Sequence, residues 1–579
     1  MDSSLESLWA QAQVHSRAGR RGEALLLLKQ MLVQVPSHGE ALEVAGYLCR
    51  DEGDFAQAAD YMDAALEHLP AAPARLRETA IINRKAGRLT RAAEYFERYA
   101  AMVPSDAETV LTVGVAWASA GEPARAAAAL QKATRLYPML WQMHYNLGLA
   151  LGQSGDYERE LACYDVALRL KPDTVEAHLN KAIALHALHR FEASLASFKK
   201  TIQIDNGHAG ARRKRAQTHM LLGDFAQGLR DYEYRWEEAG VARPYGDRIW
   251  DGKADLSNKV ILLYNEQGLG DTLHYVRFSK SLADKGARIV LRVQAALLPL
   301  FEHYEGIESI FADGQPPPPF DFHIPLMSLP LALHMTLATI PAPVPYLRAD
   351  EARAAKWDRL LTAREVSANG AFPASTSATT AVIASSAISA ATSSSTASVT
   401  ASVTSSATLP TSPVASARKR RPRVGIVWSG NASNTNDKPR STHLEHWRAL
   451  FDLPAQFVSL QKDVREADRS LLHELDSQGR LWDITSASES YADTAALVAT
   501  LDLVIAVDTS VAHLSGALGK NTWVLLSFTP DPRWLLSRTD SPWYPTATLF
   551  RQSRDADWAG VFGAVYQALQ GFCETFDEA

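Results

Sequence analysis

The sequence predicts a multidomain chain: an all-α superhelical array of helix–turn–helix repeats, followed by an α/β region built from two parallel-sheet lobes. Three observations predict it. A glycine recurs every 34 residues through the N-terminal part. From about residue 260 onward, short apolar runs alternate with helical patterns. A tract made almost wholly of Ser, Thr and Ala then divides that second region in two. At 579 residues the chain is several times the ~100–200 residues of one domain, so at least three compact units, each able to bury a core, are expected.

The repeat rests on columns of residues. The glycines are Gly19, Gly53, Gly87, Gly121, Gly155 and Gly223, and His189 stands in the one slot that breaks the series. Five residues later Ala24, Ala58, Ala92 and Ala126 supply a small side chain where two helices must approach closely; Glu160, Ser194 and Gly228 fill the later slots. Nine residues after each glycine comes a bulky apolar or aromatic residue (Leu28, Met62, Phe96, Leu130, Tyr164, Phe198, Tyr232) able to pack onto the next repeat. Pro36, Pro70, Pro104, Pro138 and Pro172 stand 17 residues past their glycines, where a missing N–H and a fixed φ stop the second helix of a pair.

These columns resemble the tetratricopeptide repeat family over roughly residues 5–238, about seven units within a domain of residues 1–240. The resemblance implies a superhelix whose concave face binds a protein or peptide partner.

Past Trp250 the pattern changes. Val260-Ile261-Leu262-Leu263-Tyr264 is a short apolar run ending in a glycine-containing turn, with a helical pattern from Thr272. Ile289–Val293 and the region around Phe320–Ile324 continue the alternation expected of a parallel sheet, giving a first lobe over residues 250–355. Residues 366–417 carry no charged residue and a single aromatic, Phe372, to offset ordering entropy, so a disordered linker between lobes is expected. As a flexible coil of about fifty residues it would span roughly 40 Å. The basic run Arg418-Lys419-Arg420-Arg421 that closes it reads as a solvated edge. Runs at Arg423–Trp428, Gln456–Leu460 and Leu503–Val507 then predict a second lobe over residues 420–570.

Two constellations could carry chemistry. In Glu266-Gln267-Gly268-Leu269-Gly270-Asp271-Thr272, two glycines let the chain turn sharply off a strand, and Asp271 or Thr272 opens a helix. Open α/β sheets bind ligands at that carboxyl edge, where Asp271 could take a proton from an attacking hydroxyl; serving as a helix N-cap is its other reading. In Asp502–Leu514, a buried strand delivers Asp508, Thr509 and Ser510 to a helix N-terminus whose free N–H groups suit a diphosphate. His513, one turn in, could reach a ribose or phosphate oxygen, or be a core histidine. A third, polar stretch follows the first strand of the second lobe: Ser429-Gly430-Asn431, then Asn436-Asp437-Lys438-Pro439-Arg440-Ser441. Lys438 or Arg440 could neutralise a leaving diphosphate.

Together, Gly268-Leu269-Gly270-Asp271 and Val507-Asp508-Thr509-Ser510-Val511-Ala512-His513-Leu514 look like the heptosyltransferase-like glycosyltransferase family, over about residues 255–345 and 420–555. The resemblance implies a GT-B architecture of two Rossmann-like lobes, with a nucleotide-diphosphate sugar as co-substrate on the second and the acceptor facing the first. It also implies Asp271 as general base, Gly268 and Gly270 in the acceptor-side turn, and donor contacts from Asp508, Thr509, Ser510 and His513. Lys438 or Arg440 would face the departing phosphate, with no metal and no cofactor. The fused repeats are similar in architecture to the protein O-linked N-acetylglucosamine transferases. A non-catalytic interaction scaffold with a degenerate transferase region is the alternative.

Composition narrows the partners. A formal net charge of −6, from 59 Lys+Arg against 65 Asp+Glu mixed along the chain, leaves no basic stripe for nucleic acid. Cys49, Cys163 and Cys573 are too few and too scattered for a disulfide framework or a cysteine metal site. No basic n-region with an apolar h-region and no run of ~18 apolar residues is present, so a cytoplasmic protein without a transmembrane segment is expected.

Overall fold

A computed structural model describes residues 3–103, 106–302, 304–369, 420–434 and 437–578. The chain divides into two compact units, one made of Met1–Met220 and Gln227–Ala242, the other of Leu221–Ala226 and Arg243–Ala579.

In the first unit, helices follow one another in antiparallel pairs, from Ser3–Arg17 with Arg21–Gln34 to Val175–Ala187 with Phe191–Ile204. The recurring glycines end the first helix of each pair with φ between +75° and +86°, a left-handed backbone that costs glycine nothing. His189 holds the same conformation, φ 56°, so the broken slot keeps its geometry at a steric cost. Ala24, Ala58, Ala92 and Ala126 are buried, as are Leu28, Met62, Phe96, Leu130, Tyr164 and Phe198. Helices end one residue before Val35, Leu69, Tyr137 and Lys171, each followed by its proline, whereas Pro104 lies outside the described residues.

A further column, not anticipated from the sequence, explains the tight fit. A Cβ on Gly46 would stand 2.7 Å from Met62 Sδ, one on Gly114 2.3 Å from Leu130 Cγ, and one on Gly148 2.6 Å from Tyr164 Cε1. Each bulky residue of a second helix therefore sits in a notch on the first. Glu160 breaks the small-residue column without breaking the stack, because Gly152 leaves room for its carboxyl and Tyr164 donates a hydrogen bond to it at 2.8 Å. Burial pushes that carboxyl up to about 7.

The second unit holds two parallel sheets. In the first, β1 (Val260–Tyr264), β2 (Arg288–Val293), β3 (Ser309–Ala312) and β4 (Phe322–Pro325) lie in the order β3-β2-β1-β4. In the second, β5 (Arg423–Val427), β6 (Gln456–Ser459), β7 (Leu481–Trp482), β8 (Leu503–Val507), β9 (Thr522–Leu526) and β10 (Ala547–Arg551) lie in the order β10-β9-β8-β5-β6-β7. β5 and β8 are buried along their whole lengths, as continuous apolar strands of a covered parallel sheet should be. The first sheet reverses its order between β1 and β4, the second between β5 and β8. At those switch points the connecting turns diverge and leave a crevice.

Two expectations shift here. Val366–Asn369, the start of the expected linker, belong to the helix Glu351–Asn369; the rest of the tract lies outside the described residues. That helix also carries the chain to the second sheet before the tract begins, because Asp358 and Glu365 bind the buried Arg423 of β5 at 2.5 and 2.7 Å. Of the basic run, Arg418 and Lys419 lie outside the described residues; Arg420 grips Asp502 with two hydrogen bonds of 2.8 and 2.9 Å.

Candidate functional site

The site is assembled from the carboxyl ends of β1, β5, β8 and β9. After β1, the helix Leu269–Tyr275 is capped by Gly268, with Asp271 at its third position rather than at its start. Asp271 Oδ2 accepts the Gly268 N–H at 3.0 Å, half of a capping box. Neither Gly268 nor Gly270 needs a positive φ. Gly270 is required for closeness instead: a Cβ there would stand 3.1 Å from His513 Cδ2 and 3.3 Å from Ser510 Cα. The bare backbone thus lets the Asp271 turn lie against the helix Ser510–Ala517, which follows β8.

That second helix begins at Thr509, the N-cap, with φ −138°. Asp508, just before it, is buried. Burial, then the nearby Asp531 charge, pushes the Asp508 carboxyl up to about 6, against the pull of Arg533 and Arg440. The Ser510 hydroxyl is already hydrogen-bonded to the Tyr491 hydroxyl. Thr509 Oγ1 is buried without a hydrogen-bond partner among the described residues.

After β5 the chain makes a single helical turn, Asp437–Arg440; Asn436 lies outside the described residues. The turn separates the two cations. Lys438 is exposed, whereas Arg440 turns inward and donates to the Asp508 carbonyl at 3.0 Å. Gly430 makes room for it, since a Cβ there would meet Arg440 Nη2 at 2.9 Å. Arg440 Nε and Ser429 Oγ are likewise buried without a hydrogen-bond partner among the described residues, although Arg440 Nε stands 3.9 Å from Asp437 Oδ1. Three orphaned polar atoms at one switch point, two donors in hydroxyls and one in a guanidinium, mark a place where an anionic ligand would complete the bonding.

His513 is not presented to this crevice. It is 2% exposed, lies stacked on Trp534 with ring centroids 5.3 Å apart, and shares its Nδ1 with the Tyr544 hydroxyl at 3.0 Å. Its Nε2 is 3.9 Å from Asp508 Oδ1. Burial, then the Arg533 charge, holds it well below the ordinary histidine value, hence neutral. The same Tyr544 hydroxyl meets His274 Nδ1 at 2.9 Å. Below them Arg277, 3% exposed, donates to the Trp543 carbonyl at 2.6 Å and lies over the Tyr346 and Tyr544 rings, 4.4 and 4.6 Å from their centroids.

Sequence reasoning missed the loop after β9. There Arg533 binds Asp531 through Nε and Nη2 at 2.7 and 3.0 Å, and reaches Asp271 Oδ1 through Nη1 at 2.8 Å. Burial opposes the Arg533 charge, but Asp531 and Asp271 outweigh it and raise the group well above the ordinary arginine value. Leu535 follows with φ 56°. Arg551 of β10 holds that strained backbone by donating to the carbonyls of Trp534, Leu535 and Arg538 at 2.5, 2.9 and 2.9 Å. The signal was present: an apolar run, Thr522–Leu526, followed by Thr529-Pro530-Asp531-Pro532-Arg533-Trp534, a charged turn at a strand's carboxyl end.

Among the described residues, no group of three or more His, Cys, Asp or Glu side chains is disposed to hold a metal ion. No helix among them is long and apolar enough to cross a membrane.

Comparisons with known proteins centre on the first unit, and one of them is longer than that unit. A family model described as tetratricopeptide repeat matches residues 10–74, 50–107, 116–174 and 145–209. Protein FlbA of Caulobacter vibrioides is 26% identical over 387 residues, 62% of this chain and 54% of that protein. The chain therefore spans about half the length of that curated relative. Similar solved structures include MamA, at 18% identity over 28% of this chain and 94% of that one, TM-score 0.26. They also include YrrB, described as a TPR protein with an unusual peptide-binding site, at 17% identity over 32% of this chain and 95% of that one, TM-score 0.26. The C-terminal part of a TPR repeat-containing protein from Cytophaga hutchinsonii is 12% identical over 40% of this chain and 96% of that one, TM-score 0.31. The N-terminal region is thus an all-α tetratricopeptide array, and the region after it contains parallel sheets.

Proposed function

We propose that the second unit is a GT-B type, metal-independent glycosyltransferase that moves a sugar from a nucleotide-diphosphate donor to an acceptor recruited by the repeats, in the cytoplasm. The observation that carries this reading is the β5/β8 switch point. There Arg440, the orphaned Thr509 hydroxyl and the open N-terminus of the Ser510–Ala517 helix converge, a donor set suited to a diphosphate.

Arg440, rather than the exposed Lys438, fits the role of phosphate partner. Thr509 would add a hydroxyl, and Ser510 and its neighbours their backbone N–H groups. Asp271 would act as base. The acceptor hydroxyl oxygen bonds to the anomeric carbon, the bond from that carbon to the diphosphate oxygen breaks with its electron pair leaving on the diphosphate, and the hydroxyl proton passes to Asp271. Cations and N–H groups already aimed at the diphosphate stabilise the charge that grows there. Gly270 would serve by holding Asp271 close to the donor helix.

Asp271→Ala should lower donor turnover on the order of 10³-fold while circular dichroism stays that of the wild type; unchanged turnover would remove Asp271 from the mechanism. A second reading, a non-catalytic interaction scaffold, is favoured by one observation: both Asp271 oxygens already accept hydrogen bonds. Calorimetry of the full chain against nucleotide sugars separates the two, since the scaffold reading expects no heat at near-millimolar ligand.

A further inference from the structure

Arg533 lies where the two sheets' turns meet, and its bonds are unequal. Asp531, two residues away in the same loop, holds it by two parallel hydrogen bonds, whereas Asp271 holds it by one. The first is a built support and the second is exchangeable, because a bidentate carboxylate grips a guanidinium far better than a single contact does.

The surroundings point to the incoming ligand. The order β9-β8-β5 places the β8 turn between two neighbours. Arg440 follows β5 on one side and Arg533 follows β9 on the other. Two guanidinium groups therefore flank the helix N-terminus that carries the orphaned Thr509 hydroxyl. A diphosphate has two phosphoryl groups, and Arg440 alone answers one. Leu535 in the left-handed region, pinned by Arg551, fixes the loop that aims Arg533.

We propose that Arg533 is a second diphosphate-binding residue that leaves Asp271 for the incoming donor, so that donor binding frees the base. This rests on the glycosyltransferase reading and adds an order to it. Without donor, Asp271 Oδ1 accepts from Arg533 Nη1 and Oδ2 from the Gly268 N–H, so an acceptor hydroxyl has to compete for the lone pairs that remain. With donor, the diphosphate takes over that N–H and leaves Oδ1 open to the acceptor hydroxyl. Water or acceptor arriving first would meet a masked base.

A double-mutant cycle tests it, using calorimetry of the full chain with UDP, GDP, ADP and CDP. Arg533→Gln should weaken the preferred nucleoside diphosphate about 30-fold. Asp271→Asn, which keeps an acceptor for the Gly268 N–H, should tighten it about 3–10-fold by releasing Arg533. In the Arg533→Gln background the Asp271→Asn gain should vanish. If Asp271→Asn tightens binding equally in both backgrounds, it acts by direct charge repulsion and the inference is overturned. It is also overturned if Asp271→Asn leaves wild-type affinity unchanged, whether or not Arg533→Gln folds. No heat from wild-type protein with any of the four overturns the glycosyltransferase reading, and this inference with it.

Discussion

The repeat array and the α/β unit both depend on glycines where helices meet, yet they use them differently. In the array, Gly19, Gly53, Gly87, Gly121, Gly155 and Gly223 all adopt positive φ, and the same solution is written again each time. In the α/β unit, Gly270 and Gly430 serve by lacking a side chain, as the array's repeated Gly46, Gly114 and Gly148 do, but each at a contact that occurs once, and that of Gly270 joins residues far apart in sequence. A repeated local device tolerates replacement of one copy, as His189 does. A single long-range contact has no second copy to fall back on.

That contrast can be broken or sharpened by substitution, beginning with the largest effect. Gly148→Leu should destabilise the array by about 3 kcal/mol, because its notch already holds the rigid Tyr164 ring 2.6 Å from where a Cβ would be. Differential scanning calorimetry should show one transition moving and the α/β transition staying in place. An equal shift in both would mean that the units do not melt separately.

Glu160 comes next. Its folded carboxyl, at about 7, lies above the unfolded value near 4.5. The folded state therefore holds a proton that the unfolded state has lost, and stability falls as pH rises from about 4.5 to 7. The wild-type unfolding free energy, read from denaturant titrations, should drop by on the order of 2 kcal/mol across that window, and that of Glu160→Gln should stay level. A level wild-type profile would contradict the burial argument.

Gly270→Ala should cost the α/β unit about 1 kcal/mol, since the contacts at 3.1 and 3.3 Å need only a small shift of His513 and Ser510. Donor affinity, read by calorimetry, should suffer more than the melting temperature. His189→Gly is the smallest: about 0.5 kcal/mol of stabilisation from relief of the left-handed backbone, partly offset by loss of the ring contact with Phe191 at 5.0 Å.

The array was legible because its information is local and recurs; the columns could be counted. The α/β unit was legible only in part. Strands β1, β2, β4, β5, β6 and β8 announce themselves as apolar runs, but β7 has only two residues, and β3 goes unmarked although it is as long as β4 and β6. β9, though apolar and followed by a charged turn, and β10 belong to neither of the two motifs that located the site. Without β9 there was no reason to look at Arg533, whose partner Asp271 is 262 residues away. The choice between Lys438 and Arg440 was closed to sequence for a similar reason. It depends on which face of one helical turn meets the Asp508 carbonyl. His513 matched a motif, but its burial between Trp534 and Tyr544 is a property of packing.

The hydroxyl of Tyr544 has one more consequence. It carries a single proton and meets two neutral imidazoles, both through Nδ1. If it donates to one ring and accepts from the other, rather than donating to the nearby Tyr346 hydroxyl, His274 and His513 are opposite tautomers. The ring that donates through Nδ1 has a bare Nε2; its counterpart carries hydrogen there. Whatever sets the Nε2 of His513, which lies 3.9 Å from Asp508, thereby also sets the Nε2 of His274 on the other helix. In that arrangement a proton's position beside Asp508 is copied to the opposite sheet's helix without any movement of the backbone.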